Sequence, residues 1–181
     1  TFTLALALAL ALTPLAASAQ RRARRTAPAT TESTEGGEPA APTLTVRDLP
    51  TVLPGLHSTS PDEVRAAIDH LIVIDAPECV APLAEVLRSG QPDAVTDRAL
   101  DAMRSLASPT AIEVLTEFTH HRRTGARRRA YRALAAIEDR RVADLLEGGL
   151  SDSDREVRAA CALALGTTGS RASVEILFRA F

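Results

Sequence analysis

The side chains best able to do chemistry crowd into residues 120–141. His120 and His121 lead into Arg122, Arg123, Arg127, Arg128, Arg129 and Arg132, with Arg140 and Arg141 after a short break. Clustered guanidinium groups grip carboxylate or phosphate with paired N–H donors and attract anionic partners from a distance. The candidate anion- or partner-binding patch is therefore Arg122, Arg123, Arg127, Arg128 and Arg132. The same stretch carries Glu138, Asp139, Asp144 and Glu147, and Asp97, Asp101, Glu113 and Glu117 precede it. Ion pairing within the fold can absorb much of the positive charge.

Other chemistry is thinner. His57 and His70 stand apart, and adjacent residues such as His120 and His121 face different ways on a helix. They read as polar helix ends, where positive charge complements the macrodipole, and not as metal ligands. No C-x-x-C, H-E-x-x-H, G-x-S-x-G or phosphate-cradling glycine loop occurs. The chain reads as non-enzymatic, with no catalytic, cofactor-binding or metal-binding residue and no cofactor called for.

The elements that would position the arginines announce themselves by repetition. Val64, Val95, Ala126 and Val157 recur every 31 residues, followed at +4 by Ile68, Ala99, Ala130 and Cys161. At +7 come Leu71, Ala102, Ala133 and Ala164, and at +8 Ile72, Met103, Leu134 and Leu165. Positions spaced 4, 7 and 8 share one helix face. A turn follows each time, marked by Asp75-Ala76-Pro77, Ala107-Ser108-Pro109, Glu138-Asp139-Arg140 and Gly169-Ser170-Arg171. A second apolar set then repeats: Val80, Ile112, Val142 and Val174, with Leu83, Leu115, Leu145 and Leu177. Each unit is an αα-hairpin. The expected fold is all-α, a solenoid of about four units at 60–90, 91–121, 122–152 and 153–181. Leu49, Val52, Leu53 and Leu56 fit a half-repeat cap over 46–58, shielding the first face of the stack. The scarcity of aromatic residues, with apolar content carried by Ala, Leu and Val, agrees with close helix packing.

The run Asp154-Arg155-Glu156-Val157-Arg158-Ala159-Ala160-Cys161-Ala162-Leu163-Ala164-Leu165-Gly166 resembles the first helix of short HEAT repeats of the phycobilisome-lyase type, and Asp62-Glu63-Val64-Arg65-Ala66-Ala67 echoes its beginning. The resemblance covers 60–181. It implies a scaffold that holds a protein or peptide partner, with Arg65, Arg127 and Arg158 pairing to acidic loop residues such as Asp93 or Asp154. Thr96 stands where a fourth such Arg belongs. The resemblance lies in the repeat and transfers no lyase activity. Alternatives are an anion-binding module using the 122–141 basic patch, or a non-catalytic relative or subunit of a bilin-lyase-like enzyme. The register separates Cys79 from Cys161 by nearly three units, beyond disulfide reach, so both are expected as free thiols. Nucleic acid is disfavoured as a partner, since Tyr131 is the only aromatic in the basic cluster.

The first residues have a different character. An apolar run from Phe2 to Leu12 leads to Ala17-Ser18-Ala19, the pattern of a signal peptide over 1–19 cleaved between Ala19 and Gln20. The protein is then exported, periplasmic or secreted, in a bacterium. The basic Arg21, Arg22, Arg24 and Arg25 leave open an amino-terminal anchor with a cytoplasmic body, in which case the membrane is met only through the uncleaved segment. Residues 20–45, rich in Arg, Pro, Thr and Glu and poor in large apolar side chains, read as a disordered linker. Every basic residue in the chain is Arg, which reads as the base composition of a GC-rich genome.

Overall fold

The computed structural model describes residues 44–168 and 171–180, which form helices joined by short turns with no strand among them. The expected signal peptide, its cleavage residues Ala19 and Gln20, and most of the 20–45 linker lie outside the described residues. The helices are α1 (Leu49–Leu56), α2 (Pro61–Ile74), α3 (Val80–Arg88), α4 (Asp93–Leu106), α5 (Ile112–Thr119), α6 (Thr124–Leu134), α7 (Arg141–Gly149), α8 (Arg155–Thr168) and α9 (Arg171–Ala180). Single 3-10 turns at Val46–Asp48, Pro77–Cys79 and Pro109–Ala111 lead into α1, α3 and α5. In the two later turns proline opens the segment, where a missing N–H costs nothing. The expected α-solenoid is the fold observed.

The longer first helices α2, α4, α6 and α8 stack side by side, and α1, α3, α5 and α7 each lie against the first helix that follows. The closely packed pairs are thus α1–α2, α3–α4, α5–α6 and α7–α8, across the unit boundaries, while α8 and α9 also pack on each other within the last unit. The apolar stripes explain this. Val64, Val95, Ala126 and Val157 are fully buried, as are Ile68, Ala99, Ala130 and Cys161. Leu71, Ala102, Ala133, Met103, Leu134 and Leu165 complete the layers. In each second helix Val80, Ile112 or Val142 is buried beneath the next first helix.

Several expected core positions differ, and Leu49, Leu53, Ile72, Ala164 and Leu177 are only partly buried. Val174 is 48% exposed, because no following first helix covers α9 among the described residues. In α7 the fully buried leucine is Leu146, while Leu145 is only partly buried. Val142 follows Ile112 by 30 residues and not 31, so the buried face of α7 runs through i and i+4. The cause is the preceding turn. Helix α6 is shorter than its equivalents and ends with Ala135 still right-handed, whereas α2 and α4 end on left-handed Asp75 (φ 47°) and Ala107 (φ 46°).

Small residues set how closely the layers approach. A Cβ on Gly149, at the end of α7, would collide with Cys161 Sγ of α8 and stand 2.8 Å from Tyr131 Cε1 of α6. Cys79 and Cys161 are buried and unpaired, as the register requires. Burial pushes the Cys161 thiol up to about 12, with the Asp152 carboxylate adding to the effect. It behaves as a small apolar filler.

Two substitutions test these constraints. Ala107→Gly should raise stability by about 0.5–1 kcal/mol, because a left-handed residue with a side chain is strained by more than glycine loses in chain entropy. Gly149→Ala should lower it by about 1–3 kcal/mol through overpacking at the Tyr131–Cys161 contact. Urea denaturation of the purified chain measures both.

Candidate functional site

The arginine-rich segment is helix α6 and the turn before it. Helix α6 sits between α4 and α8, so its charged side chains reach in both directions. Arg123 pairs with Asp93 at 2.7 Å and with Asp97 on α4. Arg129 reaches Asp101 at 2.8 Å and Asp97 at 3.4 Å. On the other side Arg128 pairs with Glu156 of α8. Asp93, Asp97 and Asp101 follow one another at four-residue steps, so one stripe of α4 presents all three to α6.

Arg127 is the most enclosed of the set. Its Nε and Nη2 donate to the two carboxylate oxygens of Asp152 at 2.8 and 2.9 Å, with side chains only 14% and 9% exposed. Its Nη1 donates to the carbonyls of His121 and Arg122 at 3.1 and 3.4 Å. Thus one guanidinium fastens the turn before α6 to the turn before α8. The hydrogen bonds from Arg127 hold the Asp152 carboxyl below the ordinary carboxylate range, against the opposing effect of burial.

The same carbonyls recur one repeat later. Arg158 Nη1 donates to Asp152 O and Ser153 O at 2.8 and 3.0 Å. Where the resemblance lacks its arginine, Thr96 Oγ1 donates to Gln91 O at 3.2 Å. Gln91, Arg122 and Ser153 are spaced by 31, so the hydroxyl fastens the same carbonyl at shorter reach. The expected partners need correction. Asp154 pairs with no repeat arginine; its carboxylate caps α8 through the N–H groups of Glu156 and Val157 at 2.9 and 3.1 Å. Asp93 takes Arg123, and Arg65 meets Asp62 of its own turn at 3.4 Å.

Of the five patch residues, Arg123, Arg127 and Arg128 are therefore engaged by carboxylates, while Arg122 and Arg132 are exposed and carry no ion pair among the described residues. Arg140 is exposed, and Arg141 turns back on Asp139 at 2.8 Å. That contact draws the Asp139 carboxyl down to about 2. Tyr131 points into the core, where burial raises its phenol and Thr119 shares a hydrogen bond with it. His57 and His120 end α1 and α5. His121 stacks on Phe118 at 5.5 Å, and its Nδ1 accepts the Arg123 N–H at 3.1 Å. His57, His120 and His121 thus lie at helix ends while His70 is exposed within α2, and no three metal-binding side chains converge among the described residues. Asp97 and Asp101 take up Arg123 and Arg129 as the charge balance suggested, whereas Asp152 was not among the acidic residues singled out, although it lies close to one repeat from Arg127.

Asp152→Asn should lower stability at neutral pH by about 2 kcal/mol, the scale of hydrogen bonds to a charged group. The folded carboxyl titrates below its ordinary value of 3.8, so its contribution is complete above that pH and fades as pH falls through the lowered value. The difference between variant and wild type should accordingly shrink as pH falls below the ordinary carboxylate value of 3.8 and through the lowered one. Urea titrations at neutral and acid pH test this, and a pH-independent difference would contradict it.

Comparison with known proteins bears on the fold. A family model described as HEAT repeats matches residues 118–181. No curated protein matches the chain. Among solved structures, a crystal structure of an engineered protein from the Northeast Structural Genomics Consortium is similar at 22% identity and a TM-score of 0.53, over 74% of this chain and 68% of that one. A second engineered protein from the same consortium aligns at 22% identity and a TM-score of 0.49, over 73% of this chain and 40% of that one. The match over the later units, and the stacked hairpins that continue upstream of it at the same spacing, together support a HEAT-repeat protein built as an α-solenoid.

Proposed function

We propose that this chain is a non-catalytic scaffold that holds a protein or peptide along one face of its helical stack, in the bacterial cell envelope. The observation that carries the reading is the cross-linking of neighbouring layers by Arg98–Asp69, Arg123–Asp97, Arg129–Asp101, Arg127–Asp152 and Arg128–Glu156. Such pairs add little stability one by one where they are exposed. Together they fix how each first helix lies against the next, so the exposed side chains of successive repeats hold constant spacing. A preordered surface binds an extended partner without the entropy cost of assembling itself. The chemistry-bearing side chains of the arginine segment mostly serve this internal role.

The envelope location rests on the apolar run and Ala17-Ser18-Ala19, followed by a polar linker. Residues 1–45 joined to a reporter that is active only after export should give activity outside the cytoplasm, with the mature chain starting at Gln20 by mass spectrometry. A cytoplasmic, uncleaved fusion would contradict export. For the scaffold itself, affinity capture from the envelope fraction of the source bacterium should retain a partner in a fixed ratio through high-salt washing. Recovery of only variable, salt-labile proteins would oppose the reading.

A further inference from the structure

We infer that Arg104 and Arg132 form a docking point for an acidic, apolar-anchored segment of a partner protein, on the outer face of the first helices. This deepens the scaffold reading and rests on it. Stacked first helices are offset from one another along the chain. Asp101 meets Arg129 and Arg128 meets Glu156, each 28 residues on, while Asp69 meets Arg98 at 29. Other contacts between stacked first helices span 26 to 32 residues, as in Asp97 with Arg123 and with Arg129, so the 28-residue spacing is taken from the Asp101–Arg129 edge on which Arg104 and Arg132 lie one turn further along. At each of these places the two charges are opposite.

Arg104 and Arg132 are also 28 apart, and there the charges are alike. Arg104 lies in the last turn of α4 and Arg132 in the last turn of α6; both are exposed and neither makes a hydrogen bond or ion pair among the described residues. Asp101, one turn before Arg104, is already held by Arg129. The negative ends of the two helix dipoles offset part of the repulsion, which lets the pair persist without an internal carboxylate. Two adjacent guanidinium groups with free N–H donors suit a carboxylate bound across both. The next step of the same offset joins Ala135 to Leu163, both exposed, Leu163 by 71%. At the equivalent position the earlier first helices carry His70, Asp101 and Arg132. An apolar side chain of the partner would rest there, one turn along from the arginine pair.

The probe is a fluorescein-labelled peptide of repeated Glu-Glu-Leu, followed by anisotropy against the full chain at about 50 mM and about 150 mM salt. Wild type should bind, and Arg104→Glu with Arg132→Glu should weaken binding about tenfold or more. Arg47→Glu with Arg155→Glu makes the same change in net charge on exposed arginines outside the 122–141 patch and should leave binding within about twofold. Equal losses in the two double variants would reduce the effect to overall charge and overturn the proposal. So would failure of wild type to bind the peptide, or its displacement by phosphatidylserine vesicles, which would make the face a lipid site. The single change Arg104→Gln removes one of the two guanidinium groups without placing a carboxylate at the negative end of the helix dipole, so it should weaken binding with the fold kept; unchanged binding would contradict the proposal. If the peptide fails to bind while a fixed-ratio envelope partner is still captured, this inference falls and the scaffold reading stands. If neither binds, both fall.

Discussion

A two-helix unit of this length cannot bury its own apolar faces, and everything else in the structure follows from that constraint. The second helix of each unit turns its stripe toward the first helix of the next, so Val80, Ile112 and Val142 find cover only across a unit boundary. The repeat interface is therefore the folding core itself. It also limits residue choice. Alanine, cysteine and glycine at Ala99, Ala130, Cys161 and Gly149 allow the close approach that larger side chains would block. At the start of the stack α1 performs this covering role for α2, with Val52 and Leu56 buried. At the far side α9 exposes Val174 and, by 82%, Phe178.

Electrostatics is layered on this packing. The turns that lead into the first helices present carbonyl groups that need donors, and Thr96, Arg127 and Arg158 supply them at equivalent positions. Arg127 goes further and fastens two successive turns through Asp152. The enclosed Arg127–Asp152 contact and the more open pairs on the helix surfaces differ in kind. The first satisfies buried polar groups whose loss is costly, and the second mainly sets lateral register. A dense arginine cluster can thus be chiefly structural while leaving a few guanidinium groups at the surface.

The repeat itself was legible in the sequence because the 31-residue spacing of Val64, Val95, Ala126 and Val157 survives every turn. Burial at those positions, and at Ile68, Ala99, Ala130 and Cys161, follows the reading closely. What spacing could not convey is the pairing of helices across unit boundaries, because an apolar stripe shows which face is buried and not which neighbour buries it. The shift from Leu145 to Leu146 depended on how α6 ends, a backbone choice that Ala135 does not advertise. Arginine partners were harder still. Asp93, Asp152 and Asp154 all lie near repeat boundaries, and only the three-dimensional offset decides that Asp152 takes Arg127 while Asp154 caps α8. Thr96 looked like a loss of the repeat arginine and instead preserves its contact.

Each layer depends on its neighbours, and Arg127–Asp152 ties the last layers to those before them. Native-state hydrogen exchange of wild type and Asp152→Asn, resolved by peptide, tests it most directly. Faster exchange is expected in α8 and α9, a smaller change in α6 and α7, and unchanged protection in α2 and α3. Uniform loss of protection from α1 to α9, or no change in α8, would contradict it.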